Sequence, residues 1–206
     1  MALVLHGYHY SVYNRIARLT LAEKGIAYDR VEVNPFADTP PGYLALHPFG
    51  RVPTLVHDGF VLYETGAITR YIDRVFATPP LQPEQPQALA RIDQIIGIVD
   101  SYGYWPMVRQ VFSHRVFRAR TGQTVDSAEV ERGLAASSKV LAALEALIGD
   151  GPLSLADLHL GAMMAYFVLA PEGATLLRDH RRLTAWWDRT SARPSFAATE
   201  PGLPGP

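Results

Sequence analysis

The sequence predicts an α/β domain over residues 1–77 and an all-helical domain over residues 87–206. Short apolar runs of strand length alternate with helical patterns in the first third of the chain, whereas almost everything later has helical spacing. Between them lies the segment ATPPLQPEQP, from Ala77 to Pro86, whose proline content is typical of a linker. We therefore expect the domain boundary at residues 78–86.

The first domain is predicted to start with a strand and to end with a helix. In chain order the predicted elements are a strand at 3–6, a helix at 12–24, a strand at 28–33, a loop region at 34–42, strands at 54–56 and 60–62, and a helix that opens at 64–65. The order β-α-β, loop, β-β-α predicts a thioredoxin-like domain.

The two later strands form a predicted hairpin. His57-Asp58-Gly59 between them has turn chemistry, because glycine takes positive φ without steric cost. Pro53 opens the first of these strands and cannot donate a hydrogen bond to a sheet. This position therefore indicates a turn, and a cis peptide bond would suit it.

Helical spacing predicts three long helices in the second domain. One covers about 87–120, bent near Pro106, and another covers 127–148. Ser154 with Asp157 three residues later is a capping-box arrangement, which opens the most apolar helix of the chain. We expect that helix to lie in the core.

Composition excludes several classes of function. The net charge is −1, which argues against a nucleic-acid or anionic-membrane partner, and the chain has no cysteine for a disulfide, a thiolate metal site or a cysteine nucleophile. The seven histidines show no metal-ligand spacing, so we expect no metal. No apolar run suits a membrane span or a secretory signal, so a cytoplasmic location is the default expectation.

Two predicted helix N-termini suit an anionic group. Thr65 would place a hydroxyl and free backbone N–H groups at one of them. Ser11 precedes the other, where a thiolate would meet the positive end of the helix and a hydroxyl donor. Lowering a thiol pKa by about two units needs about 2.7 kcal/mol, and a hydrogen bond to a charged group supplies roughly 1.5–3 kcal/mol. Ser11 would serve equally well as a simple N-cap, so the local sequence leaves both roles open.

Three motifs carry a resemblance to a known family. They are Val52-Pro53 followed by Glu64-Thr65, the sequence PLSLAD at 152–157, and LTAWW at 183–187 followed by ARPS at 192–195. Over roughly residues 3–196 the chain resembles the cytosolic glutathione S-transferases, of a bacterial type with a serine in the active site.

This resemblance implies the glutathione S-transferase architecture, with glutathione as a co-substrate that is activated as its thiolate. Ser11 matches the catalytic serine of the serine-type classes, which donates a hydrogen bond to the sulfur. Tyr8 and Tyr10 offer rival hydroxyl groups nearby. Asn14 or Arg15, on the first turn of the following helix, could also contact the sulfur.

The resemblance also implies a set of glutathione-binding residues: Arg51, Val52, Pro53, Glu64, Thr65 and His47. Thr65 is expected to take the γ-glutamyl carboxylate, and Glu64 to pair with the amino group. The backbone of Val52 is expected to pair with the cysteinyl residue. His47 or Arg51 would then supply the donor for the glycyl carboxylate.

An electrophile pocket is expected from six further residues: Tyr8, Tyr10, Tyr102, Trp105, Arg109 and Phe112. The last four have helical spacing on the first long helix, and an apolar cleft with a few hydroxyls suits a flat, hydrophobic electrophile. An aromatic stripe of this kind is equally typical of a protein core. Phe49 stands where several classes of the family insert an aromatic ring into the partner subunit, but it would also suit a local core.

The function implied is that of a cytoplasmic, homodimeric and detoxifying glutathione transferase that acts on a small hydrophobic electrophile. A glutathione-dependent isomerase, dehalogenase or ether-cleaving lyase would share the thiol site and differ in the pocket. A noncatalytic binding or interaction module on the same fold is the third possibility, since fold alone does not determine function.

Overall fold

The structure is a computed structural model, and it describes residues 2–37, 40 and 42–203. The chain divides into two compact units. One comprises the residues up to Leu81 together with Pro194–Pro201, and the other comprises Gln82–Arg193 with the residues from Gly202 onward. Positions 38, 39 and 41 of the predicted loop lie outside the described residues.

The first unit is built on a four-stranded sheet. Its elements are β1 (Leu3–Gly7), α1 (Val12–Glu23), β2 (Asp29–Glu32), α2 (Tyr43–Leu46), β3 (Thr54–His57), β4 (Phe60–Tyr63), α3 (Thr65–Val75) and α9 (Pro194–Ala198). The strand order is β2-β1-β3-β4, with β1 parallel to β2, and β3 antiparallel to both of its neighbours. The helix α2 falls in a region without a predicted element, because four residues are too few to show a helical period.

Alternation along β1 determines which face of the sheet is covered. Leu3, Leu5 and Gly7 are buried, and the residues between them are half-buried. The leucines join a buried cluster whose other members are Ala17, Leu21, Leu55, Ile68 and Ile72. Helices α1 and α3 therefore cover the sheet through aliphatic side chains.

The C-terminal helix α9 belongs to the first unit, whereas the sequence-based division placed residues 194–201 in the second domain. Arg15 of α1 donates to the backbone carbonyl of Phe196 over 3.1 Å, and its guanidinium lies 5.8 Å from the centre of the Phe196 ring. Ser195 donates to the carboxylate of Glu23. These contacts join residues that are far apart in the sequence, so no local pattern indicates them.

The second unit is helical throughout. Its elements are α4 (Pro86–Ile98), a π-helix (Val99–Arg118), α5 (Ser127–Leu147), α6 (Leu155–Phe167), α7 (Pro171–Arg178) and α8 (Arg181–Ser191). The helix predicted over 87–120 is therefore present, but after Ile98 it changes from α to π hydrogen bonding, with Pro106 inside the π-helix.

Helix α6 forms the centre of the second unit, as its apolar sequence predicts. Only two of its thirteen residues are not buried. Ser154 donates to the Asp157 carboxylate from both its backbone N–H and its hydroxyl, each over 2.7 Å. Trp186 of α8 donates to the other oxygen of Asp157 over 2.6 Å. The predicted cap thus also joins α6 to α8. No helix in the described part of the chain has both the length and the apolarity to span a membrane.

Candidate functional site

Three segments with candidate residues meet at one edge of the sheet in the first unit. His6 of β1 pairs with Thr54 of β3, and Thr54 pairs with Tyr63 of β4. The end of β1, the start of β3 and the end of β4 are therefore neighbours, about 5 Å from strand to strand. The loop after β1, the turn before β3 and the entry to α3 all leave the sheet at this edge.

Ser11 caps the N-terminus of α1. Its backbone is extended, and its Oγ accepts a hydrogen bond from the backbone N–H of Asn14 over 3.2 Å. A hydroxyl has one proton to donate besides its acceptor sites, so this contact leaves the Ser11 proton for another partner. The cap role and the sulfur-binding role are therefore compatible in a single residue.

Asn14 positions the loop that carries Ser11. Its side-chain amide donates to the carbonyl of Tyr8 over 3.0 Å, and the N–H of Ser11 donates to the same carbonyl over 3.0 Å. A Cβ atom on Gly7 would lie 2.1 Å from Oδ1 of Asn14, so only glycine fits there. Asn14 and Arg15 are both buried, and their side chains bind backbone carbonyls of the first unit.

The turn before β3 contains the cis peptide bond predicted between Val52 and Pro53. Tyr43 of α2, which is 3% exposed, holds the turn on both sides. Its hydroxyl donates to the carbonyl of Arg51 over 2.6 Å and lies 2.9 Å from the hydroxyl of Thr54. Sequence reasoning missed Tyr43, because a single tyrosine between predicted elements gives no signal of its partners.

The entry to α3 has an unusual backbone conformation. Glu64 has φ of 70° and ψ of 116°, and positive φ is uncommon and strained for a residue with a side chain. No side chain caps the helix, so its first N–H groups are open to a ligand. Thr65, which is buried, is the first residue of the helix. Strain of this kind occurs often at ligand sites, and here it lies at the residue that precedes a helix without a side-chain cap.

His47 lies beneath the turn in an aromatic stack. It is 2% exposed, and its ring centre lies 4.7 Å from that of Tyr63. Burial lowers the pKa of His47, the negative charge of Glu64 opposes this shift, and Arg51 adds to it. A neutral, buried imidazole is a poor partner for a carboxylate. The side chain of Arg51 is exposed at the same turn.

Tyr8 and Tyr10 lie together in the loop after β1. The Tyr8 ring centre lies 5.7 Å from that of Tyr10 and 5.9 Å from that of Phe36, a side chain that is 65% exposed. Burial raises the pKa of Tyr8, and Tyr10 and Glu32 raise it further, so its phenol stays protonated. These three rings form an aromatic surface in the loops that flank Ser11.

The four pocket residues predicted in the second unit do not share one environment. Tyr102 and Trp105 are 68% and 60% exposed, and Arg109 lines a cavity with Trp105. Phe112 is 5% exposed, and its ring packs edge-on against Tyr166, with centres 4.8 Å apart. The structure thus places Phe112 in the core of this unit, apart from the other three. The reason is that the π-helix rotates successive side chains differently from the assumed α-helix.

A search for a metal centre finds no candidate in the described part of the chain, where no three or more His, Asp or Glu side chains cluster suitably.

Comparisons with known proteins show which family this chain is similar to. Residues 5–80 match the family described as "Glutathione S-transferase, N-terminal domain". "Glutathione S-transferase F13" of Arabidopsis thaliana is 31% identical over 98% of this chain and 97% of its own length. Nothing in this match supports the predicted bacterial type or its serine-type active site.

Solved structures with similar folds cover nearly the whole chain. Glutathione S-transferase III in its apo form has a TM-score of 0.85 and 30% identity, covering 100% of this chain and 99% of its own. Glutathione S-transferase I bound with lactoylglutathione has a TM-score of 0.84 and 26% identity, covering 97% and 98%. The predicted fold class, a thioredoxin-like part followed by a helical part, is thereby confirmed.

Proposed function

Since this chain belongs to the glutathione S-transferase family, we propose that it is a glutathione transferase whose first unit binds glutathione as a thiolate. The sulfur attacks an electrophilic carbon of a hydrophobic molecule and forms a carbon–sulfur bond. In a substitution, the leaving group departs with its bonding electron pair, and the thiol proton is released to solvent. The observation that supports the proposal is the sheet edge at which the end of β1, the start of β3 and the end of β4 are neighbours, because the segments that carry Ser11, Val52 and Thr65 adjoin those strand ends.

Ser11 is proposed as the catalytic residue that holds the sulfur as a thiolate. Its Oγ already accepts from Asn14, so its proton is available to the sulfur. A thiolate at this place also lies at the positive end of α1. Together these interactions are strong enough to lower the thiol pKa by about two units. Such a shift needs about 2.7 kcal/mol, and a charge-assisted hydrogen bond supplies roughly 1.5–3 kcal/mol.

The remaining parts of glutathione bind along the same edge. The open N–H groups of α3 and the Thr65 hydroxyl take the γ-glutamyl carboxylate, and Glu64 pairs with the amino group. The backbone of Val52, before the cis bond to Pro53, pairs with the cysteinyl residue. Arg51 binds the glycyl carboxylate, since its guanidinium is exposed whereas His47 is buried and neutral.

The electrophile is proposed to meet aromatic side chains. Tyr8 and Tyr10 supply an aromatic surface beside Ser11. Tyr102, Trp105 and Arg109 are the accessible members of the helical stripe. Flat aromatic or conjugated molecules suit such surfaces, so we expect detoxification of hydrophobic electrophiles.

The enzyme is further proposed to be a cytoplasmic homodimer. Phe49 supports the dimer, because its ring is 71% exposed at the turn before β3. Burial of this exposed ring by a partner would be favourable, because it removes apolar surface from water. Sedimentation equilibrium tests this point. A wild-type mass of one subunit would contradict the dimer, and Phe49→Ser is expected to shift the equilibrium toward monomer.

The proposed catalytic role is tested by the pKa of bound glutathione, followed through the ultraviolet absorbance of its thiolate. We expect the wild-type pKa to lie well below the roughly 8.5 of a free thiol. Ser11→Ala is expected to raise it by about one to two units, because a charge-assisted hydrogen bond is lost. Ser11→Thr, which keeps a hydroxyl, serves as the matched control.

Tyr8→Phe and Tyr10→Phe complete the experiment, because they remove the rival hydroxyl groups without changing the ring. An unshifted pKa in Ser11→Ala, together with a raised pKa in either tyrosine variant, would transfer the catalytic role to that tyrosine. Failure of the wild-type chain to bind glutathione at millimolar concentration would favour a noncatalytic module.

A further inference from the structure

Three polar side chains meet at the end of the sheet opposite the proposed glutathione site. The turn between β3 and β4 carries His57 and Asp58, and His57 contacts Tyr71 of α3. His57 pairs with Leu3 at the start of β1, whereas Thr54 lies at the glutathione edge. At about 3.3 Å per strand residue, about 10 Å of sheet separates these two positions of β3. The proposed transferase activity therefore makes no use of this cluster.

The phenol of Tyr71 donates a hydrogen bond to the imidazole of His57. Its Oη lies 2.8 Å from Nδ1 of His57. The other ring nitrogen, Nε2, lies 3.7 Å from Oδ2 of Asp58. An unprotonated Nε2 would turn its lone pair toward a negative carboxylate, so the neutral ring carries its proton on Nε2 and leaves Nδ1 as an acceptor. Tyr71 is therefore the donor of this hydrogen bond.

The Nε2–H of His57 is a buried donor without a hydrogen bond. The side chain of His57 is 11% exposed, and within the described residues Nε2 has no hydrogen-bond partner. Native structures keep few buried polar groups in this state, and those they keep often serve a function. A second proton on the ring would create an imidazolium that the charge of Asp58 stabilises. His57 is thus arranged to accept a proton from Tyr71.

Asp58 is fixed in place beside the histidine. Its Oδ1 accepts the backbone N–H of Ala2 over 2.7 Å, and its own backbone N–H donates to the carbonyl of Ala2 over 2.9 Å. The hydrogen bond from Ala2 lowers the pKa of Asp58, so the carboxylate is charged at neutral pH. A hydroxyl within hydrogen-bond reach of a base, with a third group that orients the base, is the arrangement that activates a weak oxygen nucleophile.

Apolar surface beside Tyr71 suits an aromatic reagent. The ring centre of Phe60 lies 5.3 Å from that of Tyr71, and Phe60 is exposed. Val75, four residues after Tyr71 on the same face of α3, is also exposed. Tyr71 itself is half-buried. An aryl group can therefore pack against Phe60 while the atom bonded to it approaches the Tyr71 hydroxyl.

We infer that Tyr71 is a nucleophile that takes an acyl group from activated aryl esters. Its Oη attacks the carbonyl carbon of the ester while its proton passes to Nδ1 of His57, and Asp58 stabilises the imidazolium that forms. The carbon–oxygen bond to the aryl group breaks, and the phenolate departs with the bonding electron pair. His57 then releases the proton to solvent, and Tyr71 is left as an acyl ester. The step requires no glutathione, so it goes beyond the proposed transferase activity.

The test is incubation of the full chain with p-nitrophenyl acetate in the absence of glutathione. We expect a burst of about one p-nitrophenolate per chain, because the acyl group stays on the protein. Mass spectrometry of the digested protein is expected to find the acetyl group on Tyr71. Acetylation of other residues without acetylation of Tyr71 would overturn the proposal, and this result needs no variant.

Three variants assign the roles. Tyr71→Phe is expected to abolish the burst. His57→Gln removes the base and is expected to slow acetylation of Tyr71 about a hundredfold. Asp58→Asn is expected to slow it about tenfold, because the imidazolium loses its counter-charge. Asparagine tolerates the φ of 47° at this position, so the turn is retained.

Tyr28→Phe is the matched control. Tyr28 packs against the same buried cluster as Tyr71, and its replacement is expected to leave the burst unchanged. A burst of wild-type size and rate in a folded Tyr71→Phe variant would overturn the proposal, as would wild-type acetylation of Tyr71 in a folded His57→Gln variant. Both results stand whether or not the chain proves to be a transferase, because no glutathione is present.

Discussion

Ser11 has the cap role that the structure shows, and this role is compatible with the sulfur-binding role that we propose for it. As an N-cap it accepts one hydrogen bond, from Asn14, and this contact determines where its oxygen lies. The same contact leaves its proton unused. A residue held in place by its cap function is well suited to bind a ligand sulfur, because little side-chain entropy remains to be lost on binding.

Tyr43 holds the turn that contains Val52 in place through hydrogen bonds. Burial raises the pKa of Tyr43, and the hydrogen bond from Thr54 opposes that shift. The tyrosine therefore remains a donor to Arg51 and an acceptor from Thr54. It joins α2 to both sides of the cis peptide bond.

At this scale we predict that Tyr43→Phe impairs glutathione binding. Removal of the hydroxyl leaves the Arg51 carbonyl without its partner and should lower the free energy of unfolding by about 1–2 kcal/mol. The KM for glutathione should rise up to about tenfold, with kcat little changed, because the turn is loosened while Ser11 is untouched. Urea unfolding and steady-state kinetics measure the two effects.

Tyr28→Phe is the matched control for this prediction, since Tyr28 is a half-buried tyrosine that packs against the core of the same unit. It should change neither quantity appreciably. A Tyr43→Phe variant with wild-type stability and wild-type KM would show that the turn keeps its shape without the hydroxyl.

Among the elements, α1 and α3 are joined by a buried ion pair as well as by aliphatic packing. The ammonium group of Lys24, fully buried at the end of α1, contacts the carboxylate of Asp73 on α3, and it also donates to the carbonyl of Pro79. The N–H of Leu81 donates to Asp73 over 2.9 Å. Asp73 thereby connects α1 and α3 to Leu81, at the end of the first unit.

We predict that Asp73→Ala lowers the free energy of unfolding by about 3–5 kcal/mol, because it leaves the Lys24 charge buried without a counter-charge. Urea unfolding provides the measurement. Asp150→Ala, which breaks an exposed pair with Arg189, is the control and should have almost no effect. The double variant Lys24→Met with Asp73→Leu should recover much of the loss. A small effect of Asp73→Ala alone would mean that water reaches the pair.

On the scale of the whole molecule, three histidines make the free energy of unfolding increase as the pH rises toward 6.5. Burial lowers the pKa values of His6, His47 and His114 below the usual 6.5. At a pH between the lowered pKa values and 6.5, the unfolded chain binds more protons than the folded chain. The stabilising contribution of the neutral rings is therefore fully present above pH 6.5 and is lost as the pH falls through the folded-state values.

We accordingly predict a lower free energy of unfolding at about pH 5.5 than at about pH 7.5. The shifted carboxylates Asp58, Glu129 and Glu145 titrate below this range, so they do not account for the difference. Urea unfolding at the two pH values is the measurement. Equal free energies, or greater stability at the lower pH, would contradict the assignment of these rings as neutral.

The sequence by itself determined the features that depend on neighbours along the chain. Strand alternation, helix spacing and capping residues act within a few positions, and the resulting elements at β1, α1, the β3–β4 hairpin and α6 lie where the patterns indicate. The cis bond at Val52-Pro53 and the helix start at Glu64-Thr65 likewise lie where the local sequence indicates.

Only the tertiary structure decided the features that depend on contacts between distant residues. Tyr43 forms hydrogen bonds with Arg51 and Thr54, and Arg15 forms one with Phe196. His47 is buried in its aromatic stack. No local sequence pattern encodes these contacts. The π-helix separates Phe112 from its predicted partners and brings His114 and Arg118 to the cavity instead. The physical reason is that a periodic pattern assumes one helical geometry, and packing determines which geometry the chain adopts.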